Sequence, residues 1–77
     1  MKYIVEAFDR SSEFLAFEVE LPENCDVPLK QIMGWTAPQR GDEGYDLSPS
    51  QAAAIEALVG KPFYDHDHIF QLSCNID

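Results

Sequence analysis

The chain has 77 residues, and its 14 acidic side chains against 5 basic ones leave a formal net charge of −9. A chain this short forms one small domain, so we expect a single domain over residues 1–77. The basic residues stand singly along the chain. Phosphate binding requires clustered Lys and Arg, so nucleic acid is excluded as a direct partner. The charge predicts either a basic protein partner or an acidity that only provides solubility.

Hydrophobic residues make up 45% of the chain, which favours a folded core over disorder. No stretch approaches the roughly 18 uncharged apolar residues of a membrane helix, and Glu6 interrupts the apolar run 3–5 before it could serve as a secretion signal. We therefore expect a cytoplasmic protein with no membrane partner. Cys25 and Cys74 lack the spacing of a zinc site, so we expect reduced thiols, with Cys74 in the core.

Two β-rich runs, residues 2–9 and 13–21, are separated by a polar spacer of hairpin length. Pairing Asp9 with Glu13 places one apolar alternation of both strands on a single face. That face would carry Tyr3, Val5, Ala7, Leu15, Phe17, Val19 and Leu21. The opposite face would carry Glu6, Glu18 and Glu20, with Phe8 beside Phe14. The register that pairs Phe8 with Glu13 sets Glu6 against Leu15 on the core face, so it is disfavoured.

The middle of the chain predicts a short helix followed by a long loop. Leu29, Ile32 and Met33 recur at helical spacing after Pro28 and stop at Gly34. Residues 35–47 contain proline and two glycines and predict a loop of about a dozen residues, a length typical of functional or mobile loops in so small a domain.

A second helix has the clearest start signal of the chain. Ser48 is the expected N-cap, Pro49 the first helical residue, and Gln51 can bond back to the cap. The helix should end at Gly60. The side chains expected to face the sheet are Ala52, Ile55, Leu58 and Val59.

Residues 68–76 alternate as a last strand, with Phe70, Leu72, Cys74 and Ile76 inward. The order ββααβ predicts an α+β fold, a three-stranded antiparallel sheet with two helices on one face. If each element reverses direction, the last strand pairs with the run 13–21, which becomes central, and the other face stays open. The same alternation of directions gathers acids at the hairpin end, namely Asp9, Glu13, Asp42, Glu43, Asp46 and Asp77.

Catalytic and metal-binding patterns are weak. His66 and His68 with their neighbouring aspartates could hold a surface metal ion, but they lack a third distant ligand, so a polar loop is favoured. The acids of residues 42–46 lack the twelve-residue calcium pattern. No nucleophile motif occurs. We therefore expect no metal, no cofactor and no enzymatic activity.

Aromatic and acidic residues supply the candidate binding site. Trp35 and Tyr45 bracket the long loop among acids, as in an interface hot spot with a polar rim. The alternative for Trp35 is that it closes the small core. Phe8 and Phe14 form either an exposed patch or a covered one. The predicted partner-binding residues are Glu6, Glu18, Glu20, Trp35, Asp42, Glu43, Tyr45 and Asp46.

Several short motifs carry a resemblance that spans most of the chain. They are Ala7-Phe8-Asp9, Glu20-Leu21-Pro22, Tyr45-Asp46-Leu47-Ser48-Pro49-Ser50-Gln51-Ala52, Lys61-Pro62-Phe63-Tyr64 and Phe70-Gln71-Leu72. With these the chain resembles a family of small uncharacterised bacterial proteins that are similar to immunity proteins of polymorphic or contact-dependent growth inhibition toxins.

The resemblance implies a non-enzymatic protein that binds and neutralises a cognate toxin domain, with a basic surface on the toxin. A second hypothesis is an acidic nucleic-acid mimic or regulatory adaptor that binds a basic host protein. A toxin-encoding reading frame directly upstream would distinguish the first from the second.

Overall fold

A four-stranded antiparallel sheet and two helices make up the structure, a computed structural model that describes residues 2–36 and 44–75. The elements in chain order are β1 (Lys2–Asp9), β2 (Leu15–Glu20), α1 (Asp26–Met33), β3 (Gly44–Asp46), α2 (Pro49–Val59) and β4 (His68–Asn75). The predicted α+β class is confirmed. The predicted count of three strands is wrong, because β3 lies in the segment expected to be loop and pairs with β4.

The strand order is β2-β1-β4-β3, so the prediction that residues 13–21 form the central strand is wrong. The last strand, β4, pairs with β1 along its whole length, from Lys2 opposite Asn75 to Asp9 opposite His68. Eight residues of β1 find eight partners in β4, whereas β2 is shorter and irregular. Exposed acidic side chains and a bulge are features that proteins place on edge strands.

The β1–β2 register keeps the predicted faces over most of its length. Val5 lies opposite Val19, whereas the predicted register placed it opposite Phe17. A shift by two residues leaves each side chain on its face. The register then changes at Phe8, which lies opposite Leu15. This bulge moves Leu15 from the predicted core face to the other face, where it is 46% exposed. The hairpin closes with the Asp9 amide donating to the Phe14 carbonyl at 2.9 Å.

Both helices begin or end where their sequence signals lie. At the start of α2, Ser48 Oγ accepts from the Gln51 amide at 3.2 Å, and Gln51 Oε1 accepts from the Ser48 amide at 2.9 Å. Gly60 ends α2 with φ 80°, and Gly34 ends α1 with φ 72°, left-handed values that favour glycine. Within the described residues, no helix is long and apolar enough to cross a membrane.

The core lies between the two helices and one face of the sheet. Its buried side chains form one cluster: Tyr3, Val5, Ala7, Val19, Leu21, Cys25, Leu29, Ala52, Ile55, Phe63, Phe70, Leu72 and Cys74. The expected burial of Cys74 is confirmed. Predicted core residue Ile76 lies outside the described residues. Because both helices contribute to this one cluster, the other face of the sheet is uncovered by them. We call it the open face.

The ends of the sheet also differ from the prediction. Since β4 runs antiparallel to β1, Asn75 lies beside Lys2, far from the hairpin. Strand β3 pairs with β4 only from Gly44, which lies opposite Ser73, to Asp46, which lies opposite Gln71. Asp46 therefore lies on the edge strand β3, level with the middle of β4, and not with Asp9 and Glu13 at the hairpin end. Asp42, Glu43 and Asp77 lie outside the described residues.

Candidate protein-binding surface

A row of four polar side chains, three of them acidic, crosses the open face from one edge of the sheet to the other. Glu18 of β2 lies opposite Glu6 of β1, which lies opposite Gln71 of β4, which lies opposite Asp46 of β3. We call these four residues the acidic row. Neighbouring strands lie about 4.8 Å apart, so the row extends over roughly 14 Å. Three of the eight predicted binding residues therefore come together on one surface, with Glu20 on the same face of β2.

Two carboxylates of the acidic row, Glu6 and Glu18, have no countercharge among the described residues, whereas the neighbouring acids do have partners. Glu20 forms an ion pair with Lys2 at 3.3 Å, and Asp46 Oδ1 accepts from Gln71 Nε2 at 3.1 Å. Over residues 2–36 and 44–75, the carboxylates of Glu6 and Glu18 form no ion pair and accept no hydrogen bond. Like charges directly opposite each other destabilise a sheet. The fold itself therefore gains nothing from this pair.

The backbone bonding pattern brings Glu6 and Glu18 especially close. The Leu21 amide donates to the Tyr3 carbonyl at 3.0 Å, which makes these two residues a hydrogen-bonded pair. Hydrogen-bonded and non-hydrogen-bonded pairs alternate along an antiparallel ladder. Glu6 and Glu18 therefore form a non-hydrogen-bonded pair, in which the Cα atoms approach to about 4.5 Å and the side chains are closer.

Apolar side chains are exposed next to the acidic row, at the hairpin end. Leu15, Phe8 and Ile69 form the adjacent row of the open face. Phe14 is 76% exposed, and Phe17 projects from β2 toward the other side of the sheet with 36% exposure. We call these five residues the apolar corner. Phe8 and Ile69 also line a depression of about 330 Å³ together with Glu13 and Gln71. A partner that meets the carboxylates therefore also meets apolar surface.

Trp35 and Tyr45, two other predicted binding residues, lie on the opposite side of the sheet. Tyr45 is opposite the buried Leu72, and its ring centroid is 5.2 Å from that of Trp35. Trp35 also stacks on Tyr3 at 6.1 Å, and both Trp35 and Tyr45 pack against the core. This packing favours the interpretation in which Trp35 closes the core. The sequence predicts these aromatic residues beside the acids because they bracket the expected loop, and the alternation of Tyr45 with Asp46 is not recognisable in a three-residue strand.

Tyr3 links this aromatic group to α1. Its hydroxyl donates to Asp26 Oδ1 at 2.7 Å. Burial, and then this hydrogen bond to a carboxylate, raise the pKa of Tyr3 well above its usual range. The hydroxyl therefore stays protonated and acts as a structural donor.

The aspartate and histidine pattern of residues 65–68 forms a turn that is bound to the hairpin. His68 Nδ1 lies 2.7 Å from Asp65 Oδ1, which also accepts from the Asp67 amide at 2.8 Å. The hydrogen bond from His68 is the main cause that lowers the pKa of Asp65. Arg10 Nε donates to the His66 carbonyl at 2.8 Å. In the part of the chain that the structure describes, no three His, Cys, Asp or Glu side chains are grouped as metal ligands.

Three residues of the open face, Leu15, Ile69 and Gln71, are missing from the predicted binding residues. The alternation of residues 68–75 already places Ile69 and Gln71 opposite to the core side chains. Their position beside Phe8 and Glu6 depends on β4 pairing with β1, and Leu15 joins them only because of the bulge. Neither feature has a local sequence signal.

These features define a small α+β protein with one sheet face covered by helices and the other presenting carboxylates beside exposed apolar side chains. Residues 2–73 match the model of the family described as Domain of unknown function (DUF7683), so the chain belongs to that family. No curated protein matches the chain.

Proposed function

We propose that this chain is a non-enzymatic binding protein that holds a basic partner protein on its open face. The observation that carries the proposal is the acidic row, in which Glu6 and Glu18 oppose each other and neither forms an ion pair with a cation of the described residues. Lysine or arginine side chains of a partner would convert this repulsion into attraction. A surface that costs fold stability but gains energy in a complex is typical of a functional site.

The size of the surface suits such a complex. A standard interface removes about 800 Å² per partner, which is about one sixth of the 4966 Å² accessible surface of this chain. One face of the sheet with its apolar corner can supply that area. The carboxylates would accelerate the encounter with a basic partner, and the buried apolar contacts would slow dissociation.

The two cysteines are unsuited to nucleophilic catalysis. Cys25 and Cys74 are both buried, and burial followed by the nearby Asp26 carboxylate raises the pKa of the Cys25 thiol. A thiol with a raised pKa is a poor nucleophile at neutral pH.

The identity of the partner rests on the sequence resemblance to immunity proteins. We propose that it is a cognate bacterial toxin domain, neutralised in the cytoplasm. A toxin domain that acts on nucleic acid requires a basic cleft, and an acidic surface is the complementary occupant of such a cleft.

Co-expression with the C-terminal domain of the directly upstream reading frame tests the proposal. We expect that domain to co-purify with the chain and to lose its toxicity. Glu18→Lys should weaken the complex, while the control Glu23→Lys makes the same charge change on an exposed loop residue and should leave it intact. Failure to co-purify contradicts the immunity role. A basic host protein bound through the same carboxylates would instead support the adaptor hypothesis.

A further inference from the structure

We propose that the partner adds an extended strand to the free edge of β2, with basic side chains on one face of that strand and apolar side chains on the other. This inference rests on the proposed function, because it assumes that the open face binds a basic protein. It adds the structural element that the partner contributes and the pattern of its side chains.

The outer edge of β2 offers unpaired backbone groups. Strand β2 is outermost in the sheet order, and the described residues place no strand beside its free edge. The bond from the Leu21 amide to the Tyr3 carbonyl fixes which residues of β2 pair with β1. By alternation these are Phe17, Val19 and Leu21. The amides and carbonyls of Glu18 and Glu20 therefore point away from β1 and are free to bond an added strand.

The side chains along this edge define what the added strand must carry. Glu18 and Glu20 project onto the open face, and Phe17 projects to the other side. An antiparallel or parallel neighbour places its alternate side chains beside these same two sets. Lysine or arginine is therefore required at every second position, with apolar side chains between them to cover Phe17 on the other side of the sheet.

Space is available at this corner on both sides of the sheet. Every residue from Phe14 to Glu18 is exposed, whereas Val19 and Leu21 are buried under the helix layer. Beside residues 14–18 an added strand therefore meets no helix, and Glu20, which carries the second set of free backbone groups, is itself exposed. The regular part of the edge, residues 17–20, is about 13 Å long, so the added segment needs only four to six residues.

A second copy of this chain is a poor occupant of the edge. Two β2 strands paired with each other would bring Glu18 and Glu20 of both copies together, and each copy carries a net charge of −9. Like charges across a strand pair are destabilising. Charge complementarity favours the basic segment.

Hydrogen exchange of individual amides tests strand addition directly. The probe is an acetylated and amidated hexapeptide of alternating Lys and Val, compared with a hexapeptide of the same composition that has three Lys followed by three Val. We expect the alternating peptide at millimolar concentration to slow exchange of the Glu18 and Glu20 amides about tenfold. The Val19 amide already bonds to β1 and should change far less.

The amide chemical shifts of the protein, recorded by NMR in the same titrations, report binding of either peptide. If both peptides shift them equally and neither protects the Glu18 and Glu20 amides, strand addition is overturned and charge-driven docking on the open face remains. No binding of either peptide would also overturn strand addition. Protection of Glu18 and Glu20 that rises with protein concentration in the absence of peptide would identify a second copy as the occupant.

A backbone variant tests the same inference in the complex with the toxin domain. Glu18→Ala removes the carboxylate and keeps the amide, whereas Glu18→Pro removes both and leaves the β1–β2 ladder intact. We expect Glu18→Pro to dissociate three- to tenfold faster than Glu18→Ala. If both variants fold, bind more weakly than wild type and dissociate at the same rate as each other, strand addition is overturned but the open face is upheld as the binding surface. Two variants as tight as wild type would contradict the open face itself.

Discussion

Substitution of Glu18 by lysine should stabilise the fold and weaken the complex at the same time. In the free protein Glu18 lies opposite Glu6 in a non-hydrogen-bonded pair, where side chains are closest. Lysine at this position converts a repulsive cross-strand pair into an attractive one. In the complex the same lysine meets the basic surface of the partner. The two effects have opposite signs because the carboxylate serves binding and opposes folding.

The expected stabilisation is moderate and measurable. Cross-strand charge pairs contribute about 0.2–1 kcal/mol each, so removing a repulsion and adding an attraction should stabilise the fold by about 1 kcal/mol. For a domain of this size that raises Tm by about 4–8 °C. Because the Debye length at 1 M salt is about 3 Å, shorter than the separation of the pair, most of the gain should disappear at 1 M NaCl.

Thermal unfolding followed by circular dichroism at low and high salt is the assay, with Glu23→Lys as the matched control. The control reverses the same charge on an exposed turn residue and reports the general effect of a less negative net charge. Surface plasmon resonance against the toxin domain measures binding. A Tm for Glu18→Lys no higher than that of Glu23→Lys, or a gain that persists in 1 M NaCl, would contradict the close pairing of Glu18 with Glu6. Unchanged association would contradict the open face as the binding surface.

Three further substitutions test the apolar corner and two local contacts that stabilise the fold. Phe14→Ala should change stability by less than about 0.5 kcal/mol because the ring is 76% exposed, but it should accelerate dissociation of the partner; a large fall in Tm would show that the ring packs in the fold. Ser48→Ala removes the N-cap of α2 and should cost about 1 kcal/mol, seen as a Tm lower by about 4–8 °C, whereas an unchanged Tm would mean that the capping box contributes nothing. Glu56 Oε2 accepts from the Phe63 and Tyr64 amides at 2.7 and 2.8 Å, and these bonds lower the pKa of Glu56 below its usual 4.5. This stabilisation is present above pH 4.5 and is lost as the pH falls through the lowered pKa, so urea unfolding between pH 6 and pH 2.5 should show a smaller acid loss for Glu56→Gln than for wild type. Parallel pH curves for the two proteins would contradict that assignment.

Local signals in the sequence were sufficient for α2 and for the end of α1, whereas α1 begins at Asp26, before Pro28 and without a side-chain cap. A capping box is formed by residues only three positions apart, and a left-handed turn requires little beyond its own glycine. Ser48, Gln51 and Gly60 therefore delimit α2 as predicted, and Gly34 ends α1. The contact of Glu56 with the 63–64 backbone had no such signal, because it depends on how the chain returns after the helix.

The candidate site was only partly visible in the sequence. Alternation placed Glu6, Glu18 and Glu20 on one face, because a pleated strand sends every second side chain to the same side. It did not show that Asp46 lies on that face, since β3 has three residues between glycine-rich and polar segments. For the same reason Tyr45, its immediate neighbour, was grouped with the acids although it packs against the core.

The α+β class, the caps of α2 and the face of most strand residues could be predicted, because each of these depends on residues that are close together along the chain. The folded structure was needed to show that β1 is flanked by β2 and β4, that β3 extends the sheet, and that a bulge turns Leu15 to the open face. Alternation states which side of a strand is apolar, but it contains no information on which strand lies beside it. That choice depends on summed pairing and burial between segments some 60 residues apart, and it is what brings Glu18, Glu6, Gln71 and Asp46 into one row.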